Sequence, residues 1–204
     1  MLKRICDILN ASIGLILLSP VFFALSLAIK LNDKGPVLYK GARAGKNASP
    51  FKMYKFRTMV MNGDKIGGPS TSGDDPRLTK IGVFLRKYKL DELPQLLNVL
   101  KGDMSLVGPR PEVLSEIQAT PEKYRKILSV TPGITDYASL AFPNEGEILK
   151  GATDPHQAYK EKIQPKKMRL QEKYVDERSL WTDCKILFRT IREIASIRPK
   201  LQKY

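Results

Sequence analysis

Histidine is nearly absent from this 204-residue chain: His156 stands alone, in the polar stretch Thr153-Asp154-Pro155-His156, where a surface place suits it better than a catalytic one. Chemistry built on a Ser-His-Asp triad is therefore not expected. Cysteine is almost as scarce. Cys6 and Cys184 lie nearly the whole chain apart, which leaves neither a zinc-ligand spacing nor a disulfide framework and fits a reducing, cytosol-facing environment. No Asp-x-Asp metal motif occurs, Asp74-Asp75 being the nearest candidate, and no internal repeat or low-complexity tract is present. Negative charge is also in short supply: 21 acidic residues face 35 Lys and Arg, a formal net charge of +14. Partners or surroundings are accordingly anionic, whether nucleic acid, acidic lipid headgroups or phosphorylated substrates, and charge alone does not choose among them. With 42% apolar residues, the length fits one globular domain plus an appendage.

That appendage is legible near the N-terminus. Ile8 to Ile29 is a run of 22 residues without a charge, which as a helix spans about 33 Å, enough to cross a bilayer. A cleaved signal peptide would have a shorter apolar region and a small-residue cleavage site, and neither is seen. Ser19-Pro20 interrupts the run at its middle, and proline predicts a kink because it removes a backbone donor and clashes with the preceding turn. Lys3 and Arg4 precede the run while Lys30, Lys34, Lys40 and Arg43 follow it, so both flanks read as cytoplasmic. If both ends stay on one side, each half reaches only mid-bilayer, as a re-entrant hairpin. Many spanning helices also contain proline, so charge and proline leave hairpin and span both open.

Beyond it, Gly35-Pro36 marks a turn and Val37-Leu38-Tyr39 a short strand. Phe51 to Met59 reads as a half-buried strand, its apolar Phe51, Met53 and Phe56 interleaved with Lys52, Lys55 and Arg57. Asn62 to Asp75, with four glycines and Pro69, describes a long loop of the kind that is often functional. Helices are predicted over Thr79 to Lys89 and Pro94 to Leu100, the second stopped by Gly102. Asp183 to Ile197 forms an amphipathic helix with Ile186, Leu187, Thr190, Ile191, Ile194 and Ala195 on one face. Packing of that face on the domain core is favoured over direct lipid contact, while Lys200 and Lys203 beyond it suit anionic headgroups.

The candidate chemistry lies in Arg86-Lys87-Tyr88-Lys89-Leu90-Asp91-Glu92-Leu93-Pro94-Gln95. Asp91 falls where an N-cap would sit, with Pro94 in the first turn, and in isolation Asp91 and Glu92 read as acids complementing a helix N-terminus. Their neighbourhood suggests more. In Gly108-Pro109-Arg110-Pro111 an arginine stands between two residues of fixed φ, either a structural turn or a rigid platform for a bidentate phosphate contact. With Lys55, Arg57 and Arg86 it would supply the charge to hold a diphosphate beside a carboxylate nucleophile.

At this point the chain resembles a known family, the bacterial sugar transferases, or monotopic phosphoglycosyl transferases. The carriers are Lys3-Arg4 and Asp7 before the apolar run with Ser19-Pro20, then Phe51-Lys52-Met53-Tyr54-Lys55-Phe56-Arg57-Thr58-Met59 and Asp75-Pro76-Arg77-Leu78-Thr79. Most specific is the block from Leu90-Asp91-Glu92-Leu93-Pro94-Gln95 to Gly102-Asp103-Met104-Ser105, continuing into Gly108-Pro109-Arg110-Pro111-Glu112 and Pro132-Gly133-Ile134-Thr135. The resemblance covers most of the chain. It implies an α+β, mostly helical fold: residues 1–34 a re-entrant membrane helix broken at Ser19-Pro20, residues 35–204 a small cytoplasmic catalytic domain with amphipathic interfacial helices.

It further implies transfer of sugar 1-phosphate from a UDP-sugar to polyprenyl (undecaprenyl) phosphate at the bacterial inner membrane, as the first membrane step of glycoconjugate biosynthesis. UMP would be released and a phosphosugar carried on Asp91. The family's Asp-Glu dyad falls on Asp91 and Glu92, with Mg2+ at Asp91, and its phosphate-contacting basic positions on Lys55, Arg86 and Arg110. Membrane lipids are expected partners, nucleic acid beyond the nucleotide sugar is not, and a homo-oligomer is left open. Two departures are Lys89, where many members have Ser or Thr, and Asp136, where many have Gly. Lys89 reads as a solvated helix-end cation, and Asp136 to Glu147, with Tyr137, Phe142 and Asn144-Glu145, as a shaper of the sugar pocket. A basic membrane-anchored binding protein explains the charge and the apolar run equally well, but not an acidic pair inside the most basic neighbourhood. A metal-dependent glycosyl transferase would release UDP instead of UMP, which the freed nucleotide distinguishes.

Overall fold

The computed structural model of the protein describes residues 1–66, 68 and 70–196; Pro69, Ile197, Lys200 and Lys203 lie outside the described residues. The apolar run folds as two helices, α1 (Leu2–Leu17) and α2 (Ser19–Asp33), bent by 62°. The break falls at Leu18, one residue before the expected Ser19-Pro20, because Pro20 is accommodated in the first turn of α2, where a missing N–H is harmless. In a continuous helix residue 20 would bond the carbonyl of Ile16. The Ser19 hydroxyl does so instead, at 2.8 Å. Neither helix alone is long and apolar enough to cross a membrane, whereas the bent pair passes by length and composition.

The remainder of the chain builds the mostly helical α+β architecture expected from the resemblance. β1 (Leu38–Ala44) and β2 (Pro50–Phe56) pair antiparallel, Leu38 opposite Phe56 and Ala44 opposite Pro50. The Asn62 to Asp75 loop contains a single helical turn, α3 (Gly63–Ile66). Then come α4 (Lys80–Lys87), a 3-10 turn Leu90–Glu92, α5 (Gln95–Lys101) and β3 (Ser105–Val107). After α6 (Leu114–Ala119) and α7 (Pro121–Tyr124), β4 (Gly133–Thr135) pairs in parallel with β3. The chain closes with α8 (Tyr137–Ala141), α9 (Glu145–Ile148), α10 (Pro155–Lys162), α11 (Gln164–Glu177) and α12 (Leu180–Ser196).

Both open ends of the bent pair are fastened to the domain. Ala11 of α1 is fully buried against Met53, Val99 and Met104. Lys3 Nζ lies 2.6 Å from Asp183 and donates to Val107 O at 3.0 Å, and Arg4 donates to the carbonyls of Val99 and Leu100 near the end of α5. Asp7, buried, accepts from Ser105 Oγ at 2.8 Å and Leu106 N at 3.1 Å. From α2, Ile29 packs with Phe56 and Leu85, and Asp33 pairs with Arg57. The residues around the bend, among them Ile16, Leu17 and Phe23, are exposed.

The expectation that the apolar face of the last helix packs inward holds for only part of α12. Ile186 is fully buried and Thr190 bonds Thr135, but Ile191 and Ile194 are exposed, as are Trp181 and Phe188. Asp183 takes the inward place beside Ile186, where Lys3 and Tyr174 satisfy it, and this rotation leaves an apolar strip outside.

Replacing Asp7 by alanine strands the buried Ser105 hydroxyl and the Leu106 N–H together, and is expected to cost about 2–3 kcal/mol. Thermal unfolding of the detergent-solubilised protein measures this; an unchanged midpoint would show that α1 does not depend on the bond.

Candidate functional site

Four segments bring the expected site residues together. α4 is capped by the Thr79 hydroxyl, which accepts from Gly82 N at 3.0 Å, and Gly82 lies so close on Thr58 that a Cβ there would overlap its carbonyl. This close approach sets Arg86, one turn on, with Nε donating to Thr58 Oγ1 at 3.0 Å. α4 ends at Tyr88, and Lys89, at φ +57°, reverses the chain into the turn that carries the dyad. Asp91 is not the N-cap expected for it: the turn winds through Leu93 N to Leu90 O and Leu96 N to Leu93 O, so α5 starts behind Pro94 without a side-chain cap. The turn thereby holds Asp91 in the interior, 5% exposed, instead of at a helix end in solvent.

Glu92 is the electrostatic hub. Arg110 grips it with both Nη atoms, Nη1 standing 3.2 Å from Oε2, and Lys55 Nζ lies 2.9 Å from Oε1. Burial would raise the Glu92 pKa, but Arg110 and Lys55 override it and hold the carboxyl well below the usual range. The Arg110 guanidinium is correspondingly raised by Glu92. Asp91 has the opposite fate. Lys55 is 3.8 Å from its Oδ2, and among the described residues no hydrogen bond reaches its carboxylate. Its pKa is raised, chiefly by burial and further by Glu92, against the pull of Lys55, Arg86 and Lys89.

Lys89 is not a solvated helix-end cation. It is half-buried beside the dyad, and that burial lowers its pKa, with Arg110 and Lys55 adding to the effect. Arg57, grouped with these cations in the sequence, is buried and engaged by Asp33 and by Met61 Sδ. The strand stops at Phe56 and Arg57 N bonds Val37 O, so strand alternation no longer governs its side chain. Asp75 is held by Arg77, which donates to both its oxygens. His156 lies with Ser70 and Glu116, at 3.1 and 3.2 Å. Within Asp136 to Glu147, Asp136 is fully buried and caps α8 through Ser139 N, and Glu145 pairs with the buried Lys167.

Two residues escaped the sequence reading. Thr58, which holds Arg86, stood in the block Phe51 to Met59 without a role of its own. Asn98 carried a signal, as the one polar residue in Leu96-Leu97-Asn98-Val99-Leu100: it is fully buried, accepts from Tyr54 N and donates to Lys52 O, clamping α5 to β2 next to Lys55.

Among the described residues no group of three or more His, Cys, Asp or Glu could by itself hold a metal ion. The donor set at the dyad nevertheless fits Mg2+, which is commonly bound by one or two carboxylates together with substrate phosphates and water. Asp91 offers such a carboxylate, with both oxygens free of hydrogen bonds among the described residues. Chemically, the arrangement pairs a dry, ionisable carboxylate with fixed cations, as nucleophilic attack on an anionic phosphoryl group requires.

Comparison with known proteins returns one family whose model matches residues 1–196, described as bacterial sugar transferase. The chain is 41% identical over 199 residues to the UDP-glucose:undecaprenyl-phosphate glucose-1-phosphate transferase of Escherichia coli (strain K12), covering 94% of this chain and 39% of that protein. It is 37% identical to the UDP-N-acetylgalactosamine-undecaprenyl-phosphate N-acetylgalactosaminephosphotransferase of Aeromonas hydrophila, over 95% of this chain and 43% of that one. The chain thus spans about two fifths of the length of these relatives. The exopolysaccharide production protein ExoY of Sinorhizobium fredii is nearer in size: 35% identity covers 96% of this chain and 86% of that one.

Arg110→Ala leaves Glu92 with Lys55 alone, and the expected loss at pH 7 is about 2–3 kcal/mol, below the full cost of orphaning a buried charge. Because the folded pKa of Glu92 is depressed, this stabilisation is complete above the ordinary glutamate pKa and disappears as pH falls through the folded value. Unfolding curves of wild type and variant should converge only in strong acid; coincidence at pH 7 would remove the pair as a support.

Proposed function

The chain belongs to the bacterial sugar transferase family, and from that premise we propose that it is a membrane-bound phosphoglycosyl transferase, moving sugar 1-phosphate from a UDP-sugar to undecaprenyl phosphate. The observation that carries this reading is Asp91: a buried carboxylate with no hydrogen bond among the described residues, its pKa raised, facing Lys55, Arg86 and Lys89. A module that only binds anions gains nothing from burying such a group.

An Asp91 carboxylate oxygen attacks the β-phosphorus of the UDP-sugar. A new O–P bond forms, the bond to the α-phosphate oxygen breaks, and UMP leaves. An oxygen of undecaprenyl phosphate then attacks the same phosphorus, the carboxylate departs, and the lipid carries a diphosphate-linked sugar. The acceptor is already an anion and needs no strong base, which accords with a site that recruits no histidine. Lys55, Arg86 and Arg110 hold the phosphates, Arg110 through the N–H groups that its bidentate bond to Glu92 leaves over. Arg57 acts from its place against Asp33, as a support of the hairpin base. Mg2+, when bound beside Asp91, supplies charge that neutralises the diphosphate and favours the departure of UMP.

Residues 1–34 act as a re-entrant hairpin with Ser19 and Pro20 near its deepest point, and 35–204 as the catalytic domain on the cytoplasmic side of the inner membrane. Supporting this are the exposed apolar residues around the bend and the contacts of Lys3, Arg4 and Asp7, which keep the start of α1 on the domain's own side. The outward strip Trp181, Phe188 and Ile191 gives α12 a second purchase on the lipid interface.

With UDP-sugar and Mg2+ but no acceptor, intact-mass analysis should show a phosphosugar adduct on wild type and none on Asp91→Asn. Since a raised folded pKa means that the Asp91 charge costs stability at neutral pH, the variant should melt at the same temperature or higher. An adduct on the variant would remove Asp91 as nucleophile.

Only ionised Asp91 attacks, so adduct formation falls as pH drops through its raised pKa, above the ordinary aspartate range. Lys55→Met removes the largest opposing charge and should move that limb to higher pH; an unmoved limb would mean that another group sets it. Trp181→Glu with Phe188→Glu should reduce adduct formation on intact membranes more than in detergent, because a carboxylate on that strip opposes insertion. Equal effects in both media would assign the strip to packing.

A further inference from the structure

α11 aligns three buried side chains, Lys167, Gln171 and Tyr174, on one helical face, at intervals of four and three residues. Each meets a different point of the strip Val107–Glu112. The Tyr174 hydroxyl stands 3.1 Å from Val107 O, Gln171 Nε2 donates to Arg110 O at 3.3 Å, and Lys167 Nζ lies 3.5 Å from the Glu112 carboxylate. From the other side Asp136 Oδ2 accepts from Arg110 N at 3.4 Å. The peptide of Arg110 is therefore held at its donor and at its acceptor, between two prolines.

We propose that α11 is a splint for the phosphate-gripping arginine and that Gln171 is a positioning residue for sugar-phosphate transfer, acting through Arg110 and touching no substrate. This rests on the reading of Arg110 as a diphosphate contact. Gln171 is fully buried, and its Oε1 has no partner among the described residues. A leucine would fill the space without stranding a polar atom, so what the amide contributes is the N–H it gives to Arg110. The strip has a rigid base as well: Gly108 and Gly133 lie backbone to backbone, so close that a Cβ on Gly133 would overlap Gly108. Its start is shared with the membrane helix, because Lys3 and Tyr174 meet both Val107 O and Asp183. A fork aimed at phosphate oxygens tolerates little displacement, and loosening its backbone by a fraction of an ångström spreads the guanidinium over many poses.

The test is a double-mutant cycle on the full chain in detergent, reading the affinity for UDP with Mg2+ by calorimetric titration, with thermal melting to confirm folding. Gln171→Met is expected to weaken UDP binding about fivefold and Arg110→Ala at least about tenfold, with the double variant no weaker than Arg110→Ala alone. Wild-type affinity in Gln171→Met overturns the splint. So does a Gln171→Met loss that persists in full on the Arg110→Ala background, since that is damage to packing and not to aim. Wild-type affinity in Arg110→Ala instead overturns the reading of Arg110, and the splint falls with it. If Gln171→Met does not fold, Tyr174→Phe, which removes the hydroxyl shared by Val107 O and Asp183, goes through the same cycle under the same expectations.

Discussion

Keeping the Asp91 carboxylate ionised away from water is the constraint on which the arrangement depends. Burial in a medium of low dielectric constant opposes that charge, and the adjoining Glu92 opposes it further. Cations must answer, and no single element can supply them in the right places. Lys55 comes from β2, Arg86 from α4, Lys89 from the reversal after α4 and Arg110 from the strip after β3. Three of the four are fixed by a contact with no chemistry of its own: Asn98 on β2, Thr58 on Arg86, Gly133 under Gly108. The long-range packing of the domain is in this sense the means of assembling one electrostatic site.

The bent helix pair α1–α2 belongs to the same assembly. Ile29 of α2 shares its cluster with Leu85 of α4 and with Leu90 and Leu93, which flank the dyad, while Ala11 of α1 packs against Val99 of α5. Asp7, Arg4 and Lys3 attach to β3, α5 and α12. The bent pair is thus a structural wall of the site, and its base cannot shift without moving the elements that hold the dyad.

Local features were legible in the sequence to the extent that their causes are local. The apolar run and its break were, because a proline and the absence of charge act within one turn; the break moved by one residue because a serine side chain took over a backbone bond. Lys55, Arg86, Arg110 and the dyad were singled out through a resemblance of ordered blocks, and the structure places them together. Arg57 was grouped with them as nearby positive charge, and the structure turns it to Asp33 instead. The inward packing expected for α12 holds at Ile186, Leu187 and Thr190 only, because Asp183 takes an inward place and leaves Ile191 and Ile194 outside. The helices between Leu114 and Glu177 were not read from the sequence: α6 to α9 are only four to six residues long, and the contacts that place α11, such as Lys167 with Glu112 and Glu145, join residues far apart in the chain.

Two adjacent carboxylates in one turn are driven apart by a small difference in partners. Glu92 receives a forked arginine and a lysine and becomes a fixed anion, well below the usual range; Asp91 receives only charge at a distance and is pushed up. Such separation is the usual mark of a pair with divided labour. The fixed member orders Arg110 and Lys55 before any substrate arrives, so these cations need not be gathered at the moment of reaction. The other keeps lone pairs that no protein donor occupies, which suits attack on phosphorus or contact with a cation. The asymmetry, set by which of two neighbouring side chains the fork of Arg110 reaches, separates the titration of two otherwise similar acids.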